Sequence, residues 1–278
     1  MLDKILDYKK LELEHIRRRV SLKDVQKKAA DAALAMPLLK NFDDGVNIIA
    51  EVKKASPSAG LIREDFNAVD IATIYAENGA KALSVLTDEN FFKGSLENLI
   101  RIKTHLEKIH QDPLPILRKD FTLCEYHIFE ARGAGADAIL LIVAALDDFQ
   151  LKDYQEIATE LGLTVLVEVH DKDELDRSLK IKPTLLGINN RNLKTFETDI
   201  QTTKDLKTHL DETYKYLLPY ANEDAKPPRI ISESGLKDRD TILDLKKSGV
   251  DGFLIGESLM REEDFGAKLK NLIEGPPL

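Results

Sequence analysis

From residue 46 onward the chain alternates between short apolar runs and longer amphipathic ones, and this alternation constrains its fold more than any other feature. Strand-like runs cover Asn47–Lys53, Lys81–Thr87, Pro115–Lys119, Asp137–Val143, Thr164–Val169, Thr184–Asn189, Arg229–Ser232 and Asp251–Gly256. Helical runs lie between or after them, at Ala68–Asn78, Ser95–His110, Glu125–Gly133, Asp147–Leu161, Lys172–Lys180, Asp238–Ser248 and Glu262–Ile273, with a further one near Thr202–Leu210. The strand runs are nearly continuous in apolar residues, as parallel strands covered on both faces must be. Glycines such as Gly162 and Gly249 close a helix just before the next strand. Eight such units over about 230 residues predict a (β/α)8 TIM barrel. A doubly wound open sheet competes, but no Gly-rich fingerprint follows the first strand.

Residues 1–45 read as a helical extension ahead of a 46–278 barrel. Leu2, Ile5, Leu6, Leu13 and Ile16 recur near helical spacing. Ser21 with Asp24 three residues on predicts a helix start, and Pro37 limits that helix. Arg17, Arg18 and Arg19 fit a solvated face, with an anion contact as the other reading. Asp211–Pro228 breaks the alternation and is expected to be an insertion on the far side of the barrel from the active site.

The net charge of −9 gives no electrostatic argument for nucleic acid or an anionic membrane, so an anionic ligand needs local donors. Cys124, the single cysteine, permits no internal disulfide and reads as a packing residue. No apolar run approaches a membrane span and the first residues are charged, so a cytoplasmic protein without a signal peptide is expected. A monomer, or at most a weak homo-oligomer, is expected.

In barrels of this kind the active site lies at the C-terminal ends of the strands. Those ends carry Glu51 and Lys53; Arg118, Lys119 and Asp120; Glu168 and His170; Asn189, Asn190 and Arg191; Glu233 and Ser234. Burying such groups costs energy, so their convergence on one rim points to a task rather than to stability. Lysines beside carboxylates suggest acid–base work, since a lysine pKa falls readily on burial. After the seventh and eighth strands, Ser232-Glu233-Ser234-Gly235 and Ile255-Gly256-Glu257-Ser258 sit where barrels usually bind phosphate. His105, His110, His127 and His209 read as surface or helix residues. His170 could face the rim, but no second His or Cys completes a metal site, and no metal is expected.

Taken in order, Ile49-Ala50-Glu51-Val52-Lys53-Lys54-Ala55-Ser56-Pro57-Ser58, Leu117-Arg118-Lys119-Asp120-Phe121, Val167-Glu168-Val169, Gly187-Ile188-Asn189-Asn190-Arg191-Asn192-Leu193, Ser232-Glu233-Ser234-Gly235 and Leu254-Ile255-Gly256-Glu257-Ser258-Leu259-Met260 resemble the strand-end motifs of indole-3-glycerol phosphate synthase. The resemblance spans nearly the whole chain. It implies a decarboxylating carbon–carbon lyase of tryptophan biosynthesis. Such an enzyme closes the indole ring of 1-(2-carboxyphenylamino)-1-deoxyribulose 5-phosphate with loss of carbon dioxide and water, using no cofactor. By that resemblance Lys119 would be the general acid and Glu168 a base or proton shuttle. Lys53 would hold the anthranilate carboxylate, oriented by Glu51, and which lysine serves which step stays open. Glu233 and Asn189 would position these groups and the sugar hydroxyls, with Arg191 nearby. Ser56, Ser234, Gly235, Gly256 and Glu257 would hold the phosphate, and Phe92, Phe121 and Leu254 would pack on the aromatic ring. The extension would lie over the mouth and exclude water. Ala59 stands where many members carry Lys, which puts one phosphate or loop contact in doubt. A fused isomerase barrel is not expected. A Schiff-base aldolase or a sugar-phosphate isomerase on the same barrel is the rival reading.

Overall fold

The computed structural model of the chain describes residues 1–193, 195–217 and 226–276. Eight strands form the barrel: β1 (Ile48–Val52), β2 (Ala82–Leu86), β3 (Ile116–Lys119), β4 (Ala138–Ile142), β5 (Thr164–Val169), β6 (Leu185–Asn189), β7 (Arg229–Glu233) and β8 (Gly252–Ile255). All pair in parallel with their sequence neighbours, and β8 returns to β1 with Leu254 opposite Ile49. Closure rules out the open sheet. A small hairpin, Ala55–Ser56 against Gly60–Leu61, rises from the loop after β1.

Helices α1 (Leu2–Arg19) and α2 (Leu22–Asp31) precede the barrel. Helices α3 (Ala68–Glu77), α4 (Leu96–Ile109), α5 (Glu125–Gly133), α6 (Asp148–Glu160), α7 (Lys172–Leu179), α8 (Gln201–Leu217) and α9 (Arg239–Lys247) follow β1 to β7 in turn. After β8 come a single turn, α10 (Glu257–Met260), and α11 (Phe265–Glu274). The last helix starts later than its periodicity predicts, because the Asp264 carboxylate accepts the Ala267 N–H at 2.8 Å and caps it there. Helix α8 runs on to Leu217, so the first part of the expected insertion is helix; residues 218–225, with Tyr220, lie outside the described residues.

Strand alternation divides the core in two. Ile49, Leu117, Leu140, Leu166, Ile231 and Leu254 point into the barrel, while Ile48, Leu83, Ile116, Ile139, Val167 and Ile230 face the helices. At the strands' C-terminal ends the inner layer gives way to charge, with Glu51, Lys119, Glu168 and Glu233.

Ser21 and Asp24 form the expected capping box at the start of α2. That helix ends at Asp31, well before Pro37. Ala32 to Met36 contain good helix formers, but tertiary bonds hold them extended. Arg132 donates to the Ala32 and Ala33 carbonyls, Met36 N–H donates to Asp137 at 2.8 Å, and Leu38 N–H donates to Thr164 at 3.1 Å. Leu38 then joins the inner core layer, and Phe42 lies against Gly252 and Ile231, all at the N-terminal ends of the strands. Helix α1 sits at the opposite end. Arg17, Arg18 and Arg19 are exposed, with Arg17 stacked over Tyr126.

Candidate active site

A cavity of about 640 Å³ opens at the C-terminal ends of the strands. Glu51, Lys53, Lys119, Glu168, Asn189, Arg191 and Glu233 all line it, as do Ser56, Phe92, Phe121, Ser234, Gly235, Leu254, Gly256 and Glu257. The residues that the resemblance assigns to the site are therefore brought to one chamber. Met1, Leu2 and Ile5 of α1 form part of its wall.

Lys119 stands at the centre. Its ammonium lies 2.7 Å from Glu168 Oε2 and 3.1 Å from Glu233 Oε2. Burial alone would weaken it as an ammonium, but Glu168, Glu233 and Glu51 outweigh burial and hold its pKa well above the usual lysine range. The expectation that burial lowers this lysine is thus reversed: it is fully protonated at neutral pH. Burial would push Glu168 up, yet Lys119 and His170 hold it well below the usual carboxylate range. Glu233 goes the other way. Its own burial and the charge of Glu168 prevail over Lys119 and push it up to about 8. The trio titrates as a unit, with Glu168 the more acidic carboxyl. Among the described residues Glu233 Oε1 has no hydrogen-bond partner, and it hangs over Gly187, where a Cβ would collide with it.

The second lysine is held differently. Lys53 is ion-paired with Glu51 Oε2 across two positions of one strand face. A Cβ at Gly256 would meet that same carboxylate, so glycine there clears room for Glu51 as well as opening the loop. Asn189 Oδ1 accepts the Arg191 N–H at 3.0 Å, and Arg191 reaches Ser58 Oγ and Glu257 Oε2. Glu257 is half-buried. Burial would raise its pKa, but Arg261, Arg191 and Lys53 together keep it low, so its carboxylate is occupied away from an incoming anion. Ser234 and Gly235 both adopt left-handed backbone, with φ of 67° and 78°. A serine there is strained, as is common where a loop is shaped for a ligand. The Ser56 hydroxyl accepts the Ala59 N–H at 3.2 Å within its own turn. Lys237, Arg261 and Lys268 add positive charge to this side of the cavity.

Phe92 and Phe121 face each other with ring centroids 6.4 Å apart. Asp88, at the end of β2, fixes this wall by accepting the Phe91 and Phe92 N–H groups at 2.7 and 3.2 Å. Arg118 and Asn190 turn away from the chamber, whereas Asp120 borders it with its carboxylate held by neighbouring side chains. Arg118 donates to the His127 carbonyl and to Glu130 on α5, Asp120 accepts from Thr87 and Arg118, and the Asn190 amide bonds Ser232, Thr203 and the Ser234 carbonyl. With Lys119 and Asn189 facing inward, alternation turns Arg118 and Asn190 outward. His127 is in a helix but is buried, and burial with Arg118 beside it pushes its pKa down to about 3.

One contributor was missed. Lys9 of α1 is buried, 3.1 Å from Asp120 Oδ1 and 3.7 Å from Asp88 Oδ2, with Glu12 beside it. It ties α1 to the base of the aromatic wall. The sequence signal was its i+4 spacing from Ile5, which places both on one helix face. Among the described residues no group of three or more His, Cys, Asp or Glu side chains is arranged to hold a metal ion, and no helix is long and apolar enough to cross a membrane.

Comparison with known proteins gives a consistent result. A family model described as indole-3-glycerol phosphate synthase matches residues 2–272. A protein of that name from Acetivibrio thermocellus is 42% identical over 275 residues, 97% of this chain and 98% of the relative. Another, from Acidithiobacillus ferrooxidans, is 44% identical over 281 residues and covers 98% of both chains. Among solved structures, a mutant tryptophan synthase alpha-subunit from Pyrococcus furiosus superposes with a TM-score of 0.58 at 16% identity, covering 84% of this chain and 98% of that one. At that identity the likeness concerns the fold alone.

Proposed function

We propose, from the premise that this chain belongs to the indole-3-glycerol phosphate synthase family, a division of labour among its rim residues. The overall reaction closes the indole ring of 1-(2-carboxyphenylamino)-1-deoxyribulose 5-phosphate and releases carbon dioxide and water. Lys119 is the general acid. It gives its proton to the carbonyl oxygen as the ring carbon attacks, where negative charge develops. The ring then loses carbon dioxide, its bonding electrons restoring aromaticity. In the dehydration that follows, Lys119, reprotonated after ring closure, gives a proton to the departing hydroxyl so that it leaves as water, Glu168 takes up the proton that the ring gives up, and Glu233 keeps Lys119 in place through both steps. Lys53, held by Glu51, receives the anthranilate carboxylate. Asn189 and Arg191 position the sugar, and the Ser234–Gly235 and Gly256–Glu257 backbone with Ser56 takes the phosphate. Phe92, Phe121 and Leu254 pack on the ring, and α1 shields the chamber from water. The scheme needs no metal or organic cofactor, and the protein acts in the cytosol as a monomer.

The observation that carries this reading is the Lys119 ammonium held between two buried carboxylates of opposite acidity. A proton donor that starts charged, beside one carboxylate that starts ionised, is what ring closure followed by dehydration requires. The test is turnover of the substrate in chelator, followed by indole fluorescence, with a parallel borohydride trap. Product without a covalent adduct supports the scheme. An adduct on Lys119 or Lys53 would replace it with Schiff-base chemistry.

A further inference from the structure

Behind Glu168, outside the cavity wall, stands His170. Its ring is almost entirely enclosed and lies between two carboxylates. Nδ1 is 2.9 Å from Glu174 Oε2, and Nε2 is 3.3 Å from Glu168 Oε1. The same Glu174 oxygen accepts the His170 backbone N–H at 2.9 Å, so one atom fixes both the main chain and the ring. Glu174 is itself held in the first turn of α7, where Asp171 caps its N–H at 2.9 Å. The imidazole is thus built into the start of a helix and does not move as a free side chain.

The two oxygens of Glu168 are divided. Oε2 faces Lys119 and Oε1 faces His170. On the Glu168 side the 3.3 Å contact of Nε2 is an ion pair rather than an aligned hydrogen bond. We infer that His170 is a positioning residue for Glu168: clamped by Glu174, its ring holds one carboxylate oxygen and aims the other at Lys119 and the substrate. This rests on the reading of Glu168 as the base.

The charge balance gives the ring a second effect. Burial would neutralise the imidazole, but the Glu168 and Glu174 carboxylates on either side of the ring push it up to about 10, so it is a cation at neutral pH. Glu168 is faced by Lys119 from β3, by Glu233 from β7 and by this imidazolium at the end of its own strand; Glu51 faces Lys119 from β1. When Lys119 gives its proton away, His170 is the cation that remains against Glu168. The carboxylate becomes more basic at that moment but keeps its orientation.

The test is the pH dependence of kcat for the wild-type protein, His170→Asn, Glu174→Gln and Glu168→Gln. His170→Asn is expected to lower kcat by roughly tenfold to a hundredfold, the usual effect of removing an outer partner, with KM within about twofold. Its acidic limb moves to higher pH by about one unit, because Glu168 loses a cation and is protonated sooner. Glu174→Gln shifts the limb in the same direction by less, and decides the matter if His170→Asn does not fold. An acidic limb that coincides with the wild type in both variants overturns the inference. If Glu168→Gln is inactive in that case, only the inference falls. If Glu168→Gln turns over normally, the reading of Glu168 as base falls first.

Discussion

Gly187 touches no expected ligand, yet Gly187→Ala should damage catalysis. Its Cα lies beneath Glu233, and a Cβ there would come closer than 3.0 Å to Glu233 Oε1. Glu233 Cδ and Leu166 Cδ1 would each be at 3.3 Å, already at the edge of the 3.4 Å where ordinary contact begins. The carboxylate must therefore pivot, moving Oε1 by on the order of 1 Å and disturbing Oε2 against Lys119. Displacements of that size at a reacting centre cost about a hundredfold in rate. Overpacking of a tight site costs roughly 1–3 kcal/mol. Alanine recovers about 0.4–1 kcal/mol of that by restricting the unfolded chain, since no left-handed backbone is required at this position. The net stability loss is then roughly 1–2 kcal/mol, seen as a fall in Tm of about 2–4 °C per kcal/mol for chains of this size. Steady-state kinetics and thermal melts on the same preparation measure both. A kcat/KM within about threefold of wild type, with or without a lower Tm, would show that the placement of Glu233 does not matter and would refute the reasoning.

Other perturbations separate the remaining parts of the structure. Lys9→Met leaves Asp88 and Asp120 buried without their shared cation, a loss worth roughly 3–5 kcal/mol if α1 stayed docked. Undocking of α1 should relieve it, so amide exchange over residues 2–19 rises and kcat/KM falls; unchanged exchange would contradict this. His127 stays neutral in the fold down to about pH 3, whereas an unfolded histidine titrates near 6.5. The unfolded state therefore binds the extra proton between those values, and stability falls as pH drops through that window by up to roughly 1.4 kcal/mol per pH unit. His127→Gln melts should show a shallower acid slope than wild type, and equal slopes would remove His127 as the cause.

The barrel was legible because its information is periodic. Eight apolar runs separated by helical ones leave little choice, and the charged ends of those runs mark the rim. The residues that sequence reasoning misplaced are those whose fate depends on direction or on distant contacts. Arg118, Asp120 and Asn190 share motifs with Lys119 and Asn189 but sit at the alternate positions, so their side chains are taken up by His127 and Glu130, by Lys9 and by Thr203 on the surrounding helices. Lys9 looks like any lysine of a solvated helix until the fold brings Asp88 and Asp120 against it. Residues 32–36 look helical locally, and hydrogen bonds to Arg132 and Asp137 override that preference. The acidity of Lys119 was misjudged for the same reason: the rim carboxylates were visible in the sequence, whereas their distances to the ammonium, 2.7 Å for Glu168 and 3.1 Å for Glu233, depend on the fold.

The central claim is that Lys119 does the chemistry while Lys53 holds the substrate. The direct measurement is kcat and KM for Lys119→Ala and Lys53→Ala side by side, following indole fluorescence. Lys119→Ala should lose about 10²–10⁴ in kcat, the range for a positioned acid, with KM little changed. Lys53→Ala should raise KM more than it lowers kcat, as loss of a binding contact does. The reverse pattern, with Lys119→Ala retaining kcat and Lys53→Ala losing it, would contradict the account.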